Sequence, residues 1–143
     1  MKKKRIYLKY DMTKYCDVFL FDTRKELRAF YAKHCPKDGN HHKVRGVSVH
    51  RDYYQQKGKS KKWVLMPKTG EVLLSLQDCG AGVVTHEFMH ATIWAFRHNG
   101  KNDQYPFVIR NMREEEKLLH GFTFAVMQFY RWYYQIIDSG KQK

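Results

Sequence analysis

The sequence predicts an α+β domain, because strand-like segments rich in β-branched and aromatic residues alternate with segments whose apolar residues recur at helical spacing. Its 143 residues suffice for one domain and are too few for two independent hydrophobic cores. A hydrophobic content of 43% is enough for a packed core. We therefore expect a single folded unit, residues 1–143, with only short, flexible basic ends.

The first third of the chain predicts two strands followed by a helix. Ile6–Tyr10 and Asp17–Phe21 carry the aromatic and β-branched residues that are typical of strands. Thr23 followed by Glu26 forms a capping box, in which each side chain satisfies a backbone N–H at the start of a helix. The apolar spacing that follows predicts a helix over Arg24–His34.

The middle of the chain predicts three further strands, Val44–His50, Lys62–Met66 and Glu71–Leu76. The spacers between them contain Gly, Pro and Ser, which favour turns. Because strands joined by turns commonly pair with each other, we expect an antiparallel meander.

Two long helices complete the predicted layout. The segment between Gly82 and Asn99 is apolar on most sides, which indicates a buried helix. A polar connection, Lys101–Arg110, leads to a second helix predicted over Arg113–Ile137. The fold expected is thus a small antiparallel or mixed sheet packed on these two helices.

The charge of the chain is strongly positive, with 27 Lys and Arg against 14 Asp and Glu and a net charge of +13. Such an excess is typical of proteins that meet nucleic acid or another anionic surface. No apolar run is long enough to span a membrane, and no signal-peptide pattern follows the basic start. The three cysteines form no Cys-x-x-Cys pair, so we expect a cytoplasmic protein without a disulfide framework.

The motif that carries chemistry is an HExxH sequence, His86 to His90, inside the predicted buried helix. Residues four apart on a helix share a face, so both imidazoles can reach one metal ion, and Glu87 stands beside them. Two histidines and a carboxylate are costly to bury in an apolar helix unless they have partners. The motif therefore favours a zinc hydrolase site over a pair of satisfied core histidines.

A catalytic zinc needs a third protein ligand and keeps one coordination position for water. The extended metzincin pattern would require a glycine at position 93 and a histidine at position 96, where the chain has Ile93 and Phe96. His98 lies about 12 Å farther along the helix than His90, too far to share its metal. The third ligand is therefore expected elsewhere in the chain.

The acidic start of the second long helix offers that ligand. Glu115 precedes Leu118 by three residues and Phe122 by seven, which predicts that it lies on the face that packs inward. A carboxylate on such a face should be paired or bound to a metal. We predict Glu115 as the third ligand and keep Glu116, which has His120 at i+4, as the alternative.

The HExxH motif and the Glu-rich helix that begins about 25 residues after His90 together resemble the gluzincin metallopeptidases, the class that contains thermolysin. The short chain is most similar to the minimal gluzincins of bacteria and phages, with the resemblance covering about Glu71–Phe129. It implies a zincin-like fold and zinc-dependent hydrolysis of peptide bonds. It further implies that His86, His90 and Glu115 hold Zn²⁺ and that Glu87 is the general base.

The resemblance has two further implications. Glu71–Leu76 would be the edge strand along which a peptide or protein substrate adds as an extra strand. Gluzincins also use a Tyr or His to stabilise the oxyanion, and Tyr105, His120 and Tyr130 all fit that role by position, with His120 favoured.

A second hypothesis is a nucleic-acid-associated binding module in which zinc is structural or absent. The basic run Lys57–Lys62 has Tyr53, Tyr54 and Trp63 beside it, and lysines with aromatic rings can hold single-stranded nucleic acid. The structural interpretation, which we favour, is a solvated loop whose flanking aromatic residues lie in the core.

A cluster of potential metal ligands also precedes the middle strands. Its spacing fits no standard metal site, and a turn-like Asp-Gly-Asn sequence lies within it, so we expect a solvated loop. The cluster comprises His34, Cys35, His41, His42 and His50.

Overall fold

The computed structural model describes residues 1–97 and 111–141, and within them the chain is a mixed α+β fold. Its strands are β1 Lys2–Tyr7, β2 Tyr15–Phe21, β3 Gly46–His50, β4 Tyr54–Lys57, β5 Lys62–Leu65 and β6 Lys68–Ser75. Its helices are α1 Arg24–His34, α2 Ala81–Arg97 and α3 Met112–Lys141, with a short 3-10 turn at Leu76–Asp78. The predicted fold class is confirmed at this level.

Four strands form one mixed sheet in the order β1-β2-β6-β3, and β4 and β5 form a separate hairpin. β2 and β6 run parallel at the centre, whereas the two outer pairs are antiparallel. The expected meander of the middle strands is therefore wrong. Val72, Leu73 and Leu74 put apolar side chains on both faces of β6, and all three are buried. A strand that is apolar on both faces is better covered at the centre of a sheet than at its edge.

This arrangement corrects the prediction that Glu71–Leu76 is an edge strand. The edge on that side of the sheet is β3, which pairs with β6 and has no second strand beside it in the described part of the chain. The opposite edge is β1, in which Lys2 to Arg5 are all exposed. The basic N-terminal residues thus lie in a paired strand rather than in a loose end.

Helices cover both faces of the sheet. α1 packs on one face, where the buried cluster consists of Phe19, Phe21, Leu27, Tyr31, Val47 and Leu73. α2 and α3 pack on the other face, where the largest fully buried side chains from strands and helices include Ile6, Leu20, Leu74, Val84, Phe88 and Phe129. The side chains of β3 alternate between these two layers, so every second residue of β3 faces α2.

The start of α1 follows its sequence signals and is tied to the turn that leads into α2. The Thr23 side chain accepts a hydrogen bond from the Glu26 N–H, and the capping box is complete. The Arg24 guanidinium donates to both carboxylate oxygens of Asp78, at 2.6 and 2.7 Å. Ser75 Oγ also donates to Asp78. These contacts fix the end of β6 and the beginning of α2 to α1.

α3 is clamped to the end of β1. The amide of the Gln128 side chain donates to the carbonyl of Tyr7 at 2.9 Å and accepts from the Tyr7 N–H at 3.0 Å. About two helical turns earlier, α3 contacts Leu8 at Gly121. A Cβ at Gly121 would lie 2.4 Å from the carbonyl oxygen of Leu8, so the close contact requires glycine there.

Among the described residues, no helix combines the length and the apolar character needed to cross a bilayer.

Candidate metal centre on the HExxH helix

The candidate site lies where β3 runs along α2. Gly46 permits this close contact, since a Cβ there would lie 2.8 Å from Val83 Cγ1 and 3.0 Å from Glu87 Cγ. Strand alternation then directs Ser48 and His50 toward the same helix. β3 therefore covers one flank of the HExxH motif along its length.

The two motif histidines converge on one point at the surface. Their Nε2 atoms lie 3.2 Å apart, and their ring centroids are 4.7 Å apart. Two nitrogen ligands of a tetrahedral zinc, each about 2.05 Å from the ion, lie about 3.3 Å from each other. Both His86 and His90 are exposed. Their arrangement therefore fits two ligands of a single zinc ion that remains open to solvent.

Glu87 lies beside this pair and is buried, with only 8% of its surface exposed. Desolvation by burial raises the pKa of the Glu87 carboxyl above its usual range, while His86 and a backbone hydrogen bond from Ser48 oppose the rise. A carboxyl group in such a setting can take up and release a proton more readily than an exposed one. Glu87 thus has the position and the environment of a general base.

His50, which the sequence analysis grouped with the histidines of a solvated loop, lies instead at the end of β3 beside this site. It is half-buried, its ring stacks on Trp94 at 5.3 Å and 23°, and its centroid lies 6.5 Å from that of His90. Burial, together with the nearby His90, lowers the pKa of His50 to about 4. The available signal was the alternation of Gly46, Ser48 and His50 within a strand, which separates His50 from the loop histidines before it.

The acidic start of α3 is arranged differently from the prediction. The buried stripe of α3 consists of Leu118, Gly121, Ala125 and Phe129. Extended toward the N-terminus, this stripe meets Glu114, which is half-buried, whereas Glu115 and Glu116 are exposed. The expectation that Glu115 lies on the inward face is therefore wrong by one position.

The packing of the two long helices also separates Glu115 from the histidine pair. Phe88 contacts Phe129 with ring centroids 5.6 Å apart, and Gly121 faces Thr92, so the helices run antiparallel. At 1.5 Å per residue, Glu115 lies about 9 Å beyond the level of Thr92, and His86 lies about 9 Å on the other side of it. With the side chains placed as they are in the described residues, no three His, Cys, Asp or Glu lie close enough together to hold a metal ion.

The remaining predicted site residues lie apart from the pair or outside the description. His120 Nε2 lies 3.2 Å from Glu116 Oε2, and both side chains are exposed. Tyr130 is half-buried on α3 and packs against Phe129. Tyr105 and His98 fall outside the described residues.

An open groove of about 590 Å³ follows the free edge of β3 and the end of α1. It is lined by Tyr31, His34, Cys35, Pro36, Lys37, Asp38, Ser48, Val49 and His50. On the α1 side of it, Tyr31 donates a hydrogen bond to Asp38, and the ring nitrogen Nε2 of His41 bonds the carbonyl of Cys35. These two hydrogen bonds connect the loop that follows α1 to the end of that helix.

The basic hairpin differs from the favoured interpretation. Trp63 and Tyr54 are 67% and 55% exposed, so these aromatic residues do not lie in the core. Tyr54 and Gln56 share one face of β4, and Trp63 lies opposite Gln56 on β5, so both rings are on the same side of the hairpin. Lysines at 57, 59, 61 and 62 surround its turn.

Comparison with protein families, curated proteins and solved structures finds no match to this chain.

Proposed function

We propose that this protein is a zinc-dependent hydrolase of peptide bonds. The observation that carries the proposal is the 3.2 Å separation of the His86 and His90 Nε2 atoms beside the buried carboxyl group of Glu87. An isolated pair of core histidines would not need to converge at the surface. The resemblance to minimal gluzincins, which rests on the same motif and on the Glu-rich helix, points to the same activity.

The chain's own residues account for the proton transfers. Zinc held by His86 and His90 would act as a Lewis acid that acidifies the attacking water and polarises the substrate carbonyl. The Glu87 carboxylate accepts the proton of that water as it attacks and then donates it to the leaving amine. Glu87 lies against Gly46, and the Ser48 backbone donates a hydrogen bond to its carboxyl group, so β3 holds Glu87 in place beside the histidine pair.

The free edge of β3 is where an extended peptide would bind. An added strand could lie beside β3 along the groove, with its side chains beside Val49 and His50. This edge replaces the predicted edge at Glu71–Leu76 and leads directly past Glu87. His120 as the oxyanion-stabilising residue stays a prediction from the resemblance.

The test combines metal content with cleavage of an unfolded protein. We expect Glu87→Gln to retain zinc and lose cleavage by about 10²- to 10⁴-fold, the usual contribution of a general base. His90→Ala should lose both zinc and cleavage, whereas Asp138→Asn, at an exposed carboxylate far along α3, should change neither. Wild-type protein that binds no zinc, or Glu87→Gln that cleaves at the normal rate, would contradict the proposal.

A second candidate function, binding of single-stranded nucleic acid, is favoured by the exposed hairpin. Two rings on one face and four lysines at the turn supply stacking surfaces and phosphate contacts together. Replacing all four lysines by Gln should reduce the slope of log K against log salt by up to about 3, from about 0.7 per phosphate contact on a single strand.

This second function is separable from hydrolysis. Trp63→Ala should weaken binding of an oligonucleotide, Tyr10→Ala should serve as an exposed aromatic control outside the hairpin, and Glu87→Gln should have no effect. If Trp63→Ala and the lysine variant both bound the oligonucleotide as strongly as the wild type does, the hairpin would be excluded as the binding element.

A further inference from the structure

We propose that His50 is the third protein ligand of the zinc ion that His86 and His90 hold. This inference rests on the proposed zinc site and replaces the ligand that the resemblance assigns to the start of α3. It gives the site three histidines, a donor set that catalytic zinc sites use.

The first argument is the position of the strand. Because Gly46 has no side chain, β3 lies in contact with α2 at that point. Ser48 and His50, the next residues of β3 that face α2, therefore lie along the HExxH motif. Ser48 is level with Glu87, to which its backbone bonds, and His50 is level with His90 and Trp94. One strand therefore delivers an imidazole to the ligand pair, and it does so without help from any other element.

The second argument is the distance between the rings. Two imidazoles bound through Nε2 to one tetrahedral zinc have centroids about 5 Å apart. The His86 and His90 centroids are 4.7 Å apart, and those of His50 and His90 are 6.5 Å apart. Rotation about the side-chain torsions of His50 can supply the difference of about 1.5 Å while His86 and His90 keep their 3.2 Å spacing. Trp94 stacks on the His50 ring and keeps it on the side of β3 that faces the motif.

The third argument is that the alternative carboxylates are distant. The antiparallel packing of α2 and α3 puts Glu115 about 9 Å beyond the level of Thr92, whereas both motif histidines lie before Thr92. Glu116 is exposed and bonds His120. His50 needs a change in side-chain torsions, whereas Glu115 needs a shift of a whole helix.

The decisive experiment measures metal binding to the full chain rather than turnover. Metal-free protein is titrated with zinc against a chromophoric chelator, using wild type, His50→Ala, His90→Ala, Glu115→Ala and His42→Ala, the last being an exposed histidine of the loop. We expect His50→Ala and His90→Ala to weaken zinc affinity by more than 100-fold, beyond the 10- to 100-fold that loss of an outer-shell partner causes. Glu115→Ala and His42→Ala should bind as wild type does.

A second variant keeps the test valid if His50→Ala folds poorly. His50→Cys substitutes a ligand of another type, and with Co²⁺ it should give a thiolate-to-metal charge-transfer band that the wild type and His42→Cys lack. Wild type that binds zinc while His50→Ala keeps its affinity, with no such band in His50→Cys, would overturn the ligand role of His50 and leave the proposed function standing. If zinc affinity fell in Glu115→Ala and not in His50→Ala, Glu115 rather than His50 would be the third ligand and the proposed function would still stand. Wild type that binds no zinc would overturn both.

Discussion

Replacing Gly121 by alanine should destabilise the fold, although alanine is the better helix former. The added Cβ would lie 2.4 Å from the carbonyl oxygen of Leu8, whereas carbon and oxygen atoms that are not bonded approach to about 3.3 Å. The end of β1 or the middle of α3 must therefore move by about 0.9 Å. Thr92 Cγ2 on α2 lies 3.5 Å from the same Cβ, so the added atom would contact α2 as well as Leu8.

The surrounding contacts determine the magnitude. Tyr7 is held to Gln128 by two hydrogen bonds, and Leu8, which is 1% exposed, donates its N–H to Lys14. Overpacking typically costs about 1–3 kcal/mol, and each hydrogen bond that is strained or lost adds about 1 kcal/mol. The gain in helix propensity offsets about 1 kcal/mol of this cost. We expect the free energy of unfolding to fall by about 1–3 kcal/mol.

Urea denaturation followed by circular dichroism measures this difference. Gly140→Ala is the matched control, because it lies in the same helix and no atom comes within 4 Å of the added Cβ. That variant should be as stable as the wild type or more stable by up to about 1 kcal/mol. If Gly121→Ala proved as stable as Gly140→Ala, the close contact between α3 and Leu8 would be refuted.

Three further predictions concern the site and its supports. In metal-free protein, Glu87→Gln should raise stability at neutral pH, because burial destabilises the charged form of Glu87 and so raises its pKa in the folded state. The gain in stability should disappear as the pH falls below the ordinary carboxyl range, where Glu87 is protonated in both states. Asp78→Asn should lower stability at neutral pH, since hydrogen bonds from Arg24 lower the pKa of Asp78 in the folded state, and the difference should shrink as the pH falls through that lowered pKa. Denaturation curves across pH test both variants. Gly46→Val should reduce cleavage and lower stability by about 1–3 kcal/mol, because its side chain would meet Val83 and Glu87; unchanged cleavage would show that β3 need not lie so close to the motif.

The features that the sequence predicted well depend on neighbours within one element. The HExxH spacing predicts convergent imidazoles because four residues make about one helical turn, and the 3.2 Å separation agrees. The capping box at Thr23 and Glu26 involves residues three apart and forms as predicted. Neither prediction needs any knowledge of how distant segments pack.

The features that it missed depend on pairing between distant segments. Turn residues after β4 and β5 suggested a meander. β6 instead pairs with β2, more than 50 residues earlier, because its run of Val72 to Leu74 requires burial on both faces. The proposed ligand role of His50 follows only once β3 is known to be the edge strand beside α2. Glu115 was misplaced because neighbouring helical residues differ by 100° in direction, and a stripe extrapolated from Leu118 and Phe122 selects a different side from one defined by Gly121 and Ala125.

The opposite edge of the sheet has a consequence for self-association. β1 exposes Lys2, Lys3, Lys4 and Arg5 in succession, and only part of this charge is compensated, by Asp17 at 3.0 Å from the Lys3 ammonium. If the β1 edge of a second copy approached this edge, it would bring another row of cations against the first. Electrostatic repulsion therefore opposes edge-to-edge pairing of the sheets of two copies. Screening shortens the range of this repulsion as ionic strength rises. Colloidal stability should therefore decline with added salt.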